Sequence, residues 1–407
     1  MARKITDDIV RKIVRPREAH LHKGDCGRVL IGAGSVGMAG AAILASRGAL
    51  RAGAGLVRAC VPAELVTILQ IAVPEATCVD RTQLVAGIET SALAQYDAIC
   101  IGPGLGESAE SIAFVKAMLS SYGGVLVVDA DALNIIAHND MLGDLRDRAE
   151  HFPDTTVVTP HIGEARRLLA AALGSESAAA SGTVALGASH QNQAGGQQAG
   201  LGFATAPAAA HADLEGGCGG AAGPENLDIQ NGRPAPPTAD ASATGHASAA
   251  ASAARTFDFT GAAPEAARLA IAAALVAATR ATVILKGSGT IVASPDREPL
   301  INTTGNPGMA TGGSGDVLAG VITGLAAQKR QPAAAALGTN LAAASTESAN
   351  STRIGAYAAA VAAVYIHGRA GDLAAAALGE YGLIAGDLPL YVAHAIHELT
   401  ARAGDLK

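Results

Sequence analysis

NTTGNPGMATGGSGDVLAGVITGL, Asn302 to Leu325, sets a glycine-rich turn and one aspartate at the start of a helical pattern. Gly312, Gly313 and Gly315 lift the Cβ barrier to positive φ. Successive backbone N–H groups can then converge on one point, which the positive end of the following helix also faces. A phosphoryl group suits such a point. Val317, Leu318, Val321, Ile322 and Leu325 recur at helical spacing on one face, which predicts an amphipathic helix, and Gly320 and Gly324 leave a flat stripe for close packing. Asp316 falls in its first turn. Capping is the ordinary use of an aspartate there, but a cap does not require the glycines that surround it, each of which carries an entropic cost.

Outward from this stretch, short apolar runs bounded by Gly, Pro or Asp read as buried parallel strands. They are RVLIG near Arg28, GLVRACV near Gly55, YDAICIG near Tyr96, VLVVDA near Val125, TTVVTP near Thr155 and TVILKG near Thr282. Helical patterns such as GAAILASRGALRAG from Gly40 and EAARLAIAAALVAATR from Glu265 lie between them. The alternation predicts an α/β fold, a doubly wound and mostly parallel central sheet with helices on both faces. Ligands in such sheets bind beyond the carboxyl ends of the strands, where the Gly, Asp and His residues of this chain cluster.

Two segments depart from the pattern. Residues from about Ala171 to Ala254 are dominated by Ala, Gly, Ser, Gln and Pro, with Arg233 the only basic residue, and a shorter stretch from about Gln331 to Arg353 is similar. Both read as low-complexity, disordered insertions that protrude from one domain spanning residues 1–407.

A net charge of −7 and the lack of any dense Lys/Arg run argue against a nucleic-acid surface, and no uncharged apolar run reaches membrane-spanning length. The 49% hydrophobic content fills a core. Cys26, Cys60, Cys78, Cys100 and Cys218 form no CxxC pair, and the N-terminus has no signal-peptide apolar region. A cytoplasmic enzyme of small molecules is expected.

The glycine run Gly32 to Gly37 matches the GxGxxG dinucleotide fingerprint, yet the next strand offers Arg58 and then only Glu64 beyond Pro62, where a ribose-binding acid is wanted. A Rossmann dehydrogenase is therefore a weak reading. IGPGLG, Ile101 to Gly106, can wrap a ligand with backbone alone, or simply turn from strand to helix. Asp129, Asp131 and Asn134 of VVDADALN sit at a strand end and read as capping and scaffolding groups. TPHIGEARRLL brings His161 and Glu164 into one helical turn. Glu164 there either reaches a hydrated magnesium ion through water or caps the helix. ILKGSGT places Lys286, Gly287, Ser288, Gly289 and Thr290 just past a strand; it lacks the Walker A order, but a lysine before a second glycine turn points toward nucleotide phosphates. The remaining histidines, His394 and His397 among them, read as surface or core residues.

Taken in order, HKGDCGRVLIGAGS, AGAAILASRGALRAGAGLV, IGPGLG, VVDADALN, TPHIGEARRLL, LKGSGT, TGNPGMATGGSGDVLAGVITGL and YIHGRAGDLAA resemble the ADP- or ATP-dependent NAD(P)H-hydrate dehydratases, a family with a ribokinase-like fold. The resemblance covers nearly the whole chain apart from the insertions. It implies repair of the S form of hydrated NADH or NADPH: the ring hydroxyl is phosphorylated at the expense of ADP or ATP, and phosphate is then eliminated. It further implies Asp316 as general base, with Gly313 and Gly315 in the anion hole. Lys286, Gly287, Ser288, Gly289, Thr290 and Gly315 would meet the adenine nucleotide. Ala41, Gly104, His161 and Asp316 would meet the hydrated cofactor, and Glu164 would touch Mg2+ through water. Ser314 stands where the family commonly has Thr, and keeps the hydroxyl. The family suggests a homotetramer. Some members also carry an N-terminal epimerase domain; with about twenty residues before HKGD, this chain is expected to dehydrate only and to depend on a separate epimerase. The alternative is a vitamin-precursor kinase of the same fold, acting on a hydroxymethylpyrimidine or hydroxyethylthiazole, against which TPHIGE and HKGD argue.

Overall fold

The computed structural model describes residues 2–86, 90–180, 264–329 and 353–401. These belong to a unit formed by Met1–Ser181 and Ala241–Lys407, while the second unit, Gly182–Asp240, lies outside the described residues.

Ten strands form one sheet among the described residues: β1 (Arg3–Lys4), β2 (Arg28–Gly32), β3 (Leu56–Val61), β4 (Thr77–Asp80), β5 (Ala98–Ile101), β6 (Val125–Val128), β7 (Thr156–Val158), β8 (Thr282–Leu285), β9 (Ile291–Ala293) and β10 (Leu300–Ile301). Their order is β1-β10-β9-β8-β7-β6-β5-β2-β3-β4. From β8 through to β4 every pairing is parallel, and β9 runs antiparallel to both β8 and β10. The six central strands coincide with the runs read from sequence. β1, β4, β9 and β10 do not emerge that way: β1, β4 and β10 carry at most one fully buried position, and β9, buried throughout, is only three residues long.

Side chains alternate between two cores, as the pleat requires. Val29 and Ile31 of β2 pack into one with the helices Ala39–Arg51, Ser314–Ala326 and Ala356–Leu378. Leu30 packs into the other with Phe114, Leu133, Leu145, Leu168 and Leu275, each from a different helix. The sheet is therefore covered on both faces, as expected of the α/β class.

The helix Ser314–Ala326 differs from the amphipathic element predicted: every residue from Val317 to Ala326 is buried. Small residues make this central position possible. A Cβ on Gly320 would fall 2.0 Å from the Ala45 carbonyl oxygen, and one on Gly324 2.6 Å from that of Ala49. The two helices thus touch backbone to backbone.

The first expected insertion needs a correction at its start. Residues from Ala171 onward continue the helix Ile162–Ala180, in keeping with the high helix propensity of Ala, Leu and Glu. The rest of that segment, and the second from Gln331 on, lie outside the described residues, except that Arg353 pairs with Lys329 in an antiparallel bridge. No helix among the described residues is long and apolar enough to cross a membrane.

Candidate active site

Neighbouring strands β5, β6, β7 and β8 all end on the same side of the sheet, and their loops knit together there. The Asp129 N–H donates to the Ile101 carbonyl at 3.0 Å, and the Lys286 N–H to that of Pro160 at 2.9 Å. These bonds bring Asp129, Thr159, Glu164 and Lys286 into one cluster. Lys286 Nζ lies 2.6 Å from Asp129 Oδ1 and 3.8 Å from Glu164 Oε2, and the Thr159 hydroxyl donates to Asp129 Oδ1 at 2.5 Å. Burial disfavours the ammonium charge, but Asp129 and Glu164 outweigh it, so the Lys286 pKa is raised from its ordinary value.

Asp316 enters this cluster from the helix Ser314–Ala326. Gly313, with φ of 93°, is the residue that precedes the helix and, having no side chain, does not cap it. Asp316 stands in the first turn. A Cβ on Gly315 would stand 3.4 Å from Lys286 Nζ and 4.0 Å from Asp129 Oδ2, whereas one on Gly312 would meet nothing within 4 Å. The turn therefore has one face against the ion pair and one face open. Burial, and next the Asp129 charge, push the Asp316 pKa up to about 7; Lys286 opposes them and Asp131 adds to them. A carboxyl group that is half ionised near neutral pH can accept a proton from a hydroxyl and release it again.

His161 and Glu164 reciprocate across the first turn of their helix. The His161 N–H donates to Glu164 Oε2 at 2.8 Å, and His161 Nδ1 accepts from the N–H groups of Gly163 and Glu164 at 2.9 and 3.3 Å. This is a capping box with histidine in the place of serine. The His161 ring is exposed and Glu164 is buried. No group of three metal-ligating side chains occurs among the described residues, and Asp129 is neutralised by Lys286. A buried chelated cation does not fit this donor set. A hydrated magnesium ion carried in on nucleotide phosphates and reached by Glu164 through water does, since that ion keeps several of its waters.

On the other flank, Gly104 and Ala41 are in contact: a Cβ on Gly104, whose φ is 58°, would sit 2.7 Å from that of Ala41. The Ser35 hydroxyl donates to the Gly104 carbonyl at 3.0 Å, and the Gly106 N–H to Asp131 Oδ2 at 2.8 Å. Asp131 and Asn134, which accepts from Arg167 Nε at 2.9 Å, are scaffolding groups as read from sequence. Asp129 is not: it is the partner of Lys286 and a neighbour of Asp316. Gly287 and Gly289 take φ of 143° and 64°. Beside them Arg268 donates to the carbonyl of Ser288, a contact no motif signalled.

His367, in YIHGRAGDLAA, is the remaining member. Its ring is 7% exposed, hydrogen bonds to the Ser314 backbone, and leaves Nε2 without a partner. Burial holds its pKa down at about 4, so it is a neutral core histidine behind the glycine turn.

The parallel sheet with a glycine turn and a helix-borne aspartate at its carboxyl edge defines a ribokinase-like α/β protein. A ribokinase-like superfamily protein from Enterococcus faecalis V583 superposes with a TM-score of 0.61 at 21% identity, covering 98% of this chain and 96% of that one. The ADP/ATP-dependent NAD(P)H-hydrate dehydratase from Bacillus subtilis, co-crystallised with ATP and Mg2+, does so with a TM-score of 0.57 at 21% identity over 98% and 99%. Residues 29–193 and 253–389 match the NAD(P)H-hydrate dehydratase family, and the chain belongs to it. Among its relatives, the bifunctional NAD(P)H-hydrate repair enzyme Nnr of Moorella thermoacetica is 32% identical over 94% of this chain and 52% of its own length. The ADP-dependent (S)-NAD(P)H-hydrate dehydratase of Lactococcus lactis is 35% identical over 42% of this chain and 60% of its own length. The chain spans about half the length of the bifunctional curated relatives it matches.

Proposed function

We propose that this protein restores hydrated NADH and NADPH, in the S form, at the expense of ADP or ATP. The observation that carries the proposal is the half-buried Asp316, with its pKa raised to about 7, beside the glycine turn and the Lys286–Asp129 pair. Asp316 takes the proton of the ring hydroxyl as that oxygen attacks the terminal phosphorus, and the bond from phosphorus to the bridging oxygen breaks. The N–H groups of the Gly312–Gly315 turn stabilise the charge on the phosphoryl group in transit. Phosphate then leaves with help from the ring nitrogen lone pair, and a proton lost from the neighbouring carbon restores the double bond.

Lys286 to Thr290 hold the nucleotide, with Gly315 against the lysine. Ala41 and Gly104 on one flank, and His161 beside Glu164 on the other, contact the hydrated ring. Magnesium, when bound on the phosphates, neutralises their charge. Glu164 would hold the ion through water; the Bacillus neighbour was co-crystallised with ATP and Mg2+. The vitamin-precursor kinase is disfavoured, since the chain lies within the dehydratase family.

A cytoplasmic site of action agrees with the free thiols of Cys26, Cys60, Cys78 and Cys100. The single domain with insertions and the homotetramer rest on the family resemblance, and a mass measurement in solution tests the tetramer.

The deciding assay mixes the protein with hydrated NADH, Mg2+ and either ADP or ATP, and follows NADH absorbance. Regeneration that requires a nucleotide is the expected result; none with either nucleotide would refute the proposal.

A further inference from the structure

Arg81 opens the helix Arg81–Ala86, directly after β4, and its side chain is only 2% exposed. Burying a guanidinium is costly unless each of its bonds is well placed. Here Nε donates to Glu110 Oε1 at 2.9 Å and Nη1 to the Gly34 carbonyl at 3.0 Å, with the Phe114 ring centroid 6.0 Å away. Phe114 occupies space that the missing side chain of Gly32 leaves, since a Cβ there would fall 2.5 Å from its ring.

The bond to Gly34 extends toward the site. The Gly34 N–H donates to the Pro103 carbonyl at 2.8 Å, and the next residue, Ser35, donates to Gly104, which packs on Ala41. A chain of contacts therefore runs from Glu110 through Arg81, Gly34 and Pro103 to the Gly104–Ala41 pair. None of its bonds goes to the Lys286–Thr290 turn, which lies across β5 to β8.

We propose that Arg81, held by Glu110, is a positioning residue for the loops that receive the hydrated nicotinamide. It acts through the Gly34 carbonyl and leaves the nucleotide side untouched. The inference rests on the function proposed above and deepens it: recognition of the damaged ring is set partly by a half-buried ion pair at the far edge of the sheet.

The test measures KM for hydrated NADH and for the nucleotide, with melting temperature, in Arg81→Lys and Glu110→Ala. Lysine has one point of attachment where arginine bridges two, and alanine leaves the guanidinium without its acid. The expected result is a rise of about tenfold in KM for hydrated NADH, the scale of losing a supporting contact, with the nucleotide KM unmoved. A purely structural role would lower melting temperature and the active fraction but leave both KM values alone, and that outcome overturns the proposal. So does an equal rise in both. If these variants fail to fold, Glu110→Gln, at a side chain 38% exposed, is scored by the same criterion. Wild-type protein that turns over no hydrate would refute the function itself, and this inference with it; turnover with unmoved KM in the variants refutes only the inference.

Discussion

Lys286 Nζ stands 2.6 Å from Asp129 Oδ1 and 3.4 Å from where a side chain on Gly315 would begin, so one ion pair abuts the helix terminus that carries Asp316. Two aspartates thus share one lysine. Asp129 holds the short contact, and Asp316, desolvated and repelled by Asp129, keeps its proton up to about pH 7. This division separates a charge-holding carboxylate from a proton-accepting one.

Turnover should follow that division. Only ionised Asp316 can act as the base, so the rate should rise with pH through about 7 and level off above it. A pH–rate profile of nucleotide-saturated enzyme checks this; a rate already maximal at pH 5 would contradict it.

Replacing Asp129 should shift that profile. Asp129→Asn removes the second-largest cause of the raised Asp316 pKa, so the rising limb should move to lower pH. The same change leaves Lys286 with only the longer contact to Glu164, at 3.8 Å. Removing one partner of a buried pair costs about 3–5 kcal/mol, less for a lysine still partly solvated, so a lower melting temperature is expected as well.

Stability should depend on pH with the opposite sense to activity. The folded pKa of Asp316 lies above the ordinary 3.8, so between pH 4 and about 7 the folded state binds more protons than the unfolded chain. Its contribution therefore falls as pH rises through that window and is flat beyond it. Asp316→Asn should remove this slope and be more stable than wild type at pH 8, by up to about 4 kcal/mol. Urea titrations at pH 5 and pH 8 read the difference.

The glycines separate into two kinds. Gly315→Ala places a methyl at ordinary contact distance from Lys286, in helical backbone, so the fold should survive while turnover drops because the anion's space is filled. Gly320→Ala puts a methyl 2.0 Å from the Ala45 carbonyl oxygen and should destabilise the protein strongly. Melting curves beside activity distinguish the two.

The central strands and the helix after the glycine turn were legible because parallel strands covered on both faces leave uninterrupted apolar runs, as in VLVV of β6 and TVIL of β8. The edge was not. β4 has only four residues, one exposed and three partly buried, and Arg81, which follows it, had no strand to mark its place. Asp129 looked like a cap because its real partner is 157 residues away, and only the register of β6, β7 and β8 brings the two together. Asp316 could be singled out because its glycines are local. The full burial of its helix could not, since Gly320 and Gly324 show their use only when Ala45 and Ala49 are seen against them.

The account turns on Asp316 as the base of a nucleotide-dependent dehydration. Its most direct test is the initial rate of NADH regeneration from hydrated NADH by Asp316→Asn, against wild type, at saturating nucleotide and pH 8. Loss of roughly a hundredfold to ten-thousandfold, the usual worth of a general base, is predicted. A rate close to wild type would contradict the account.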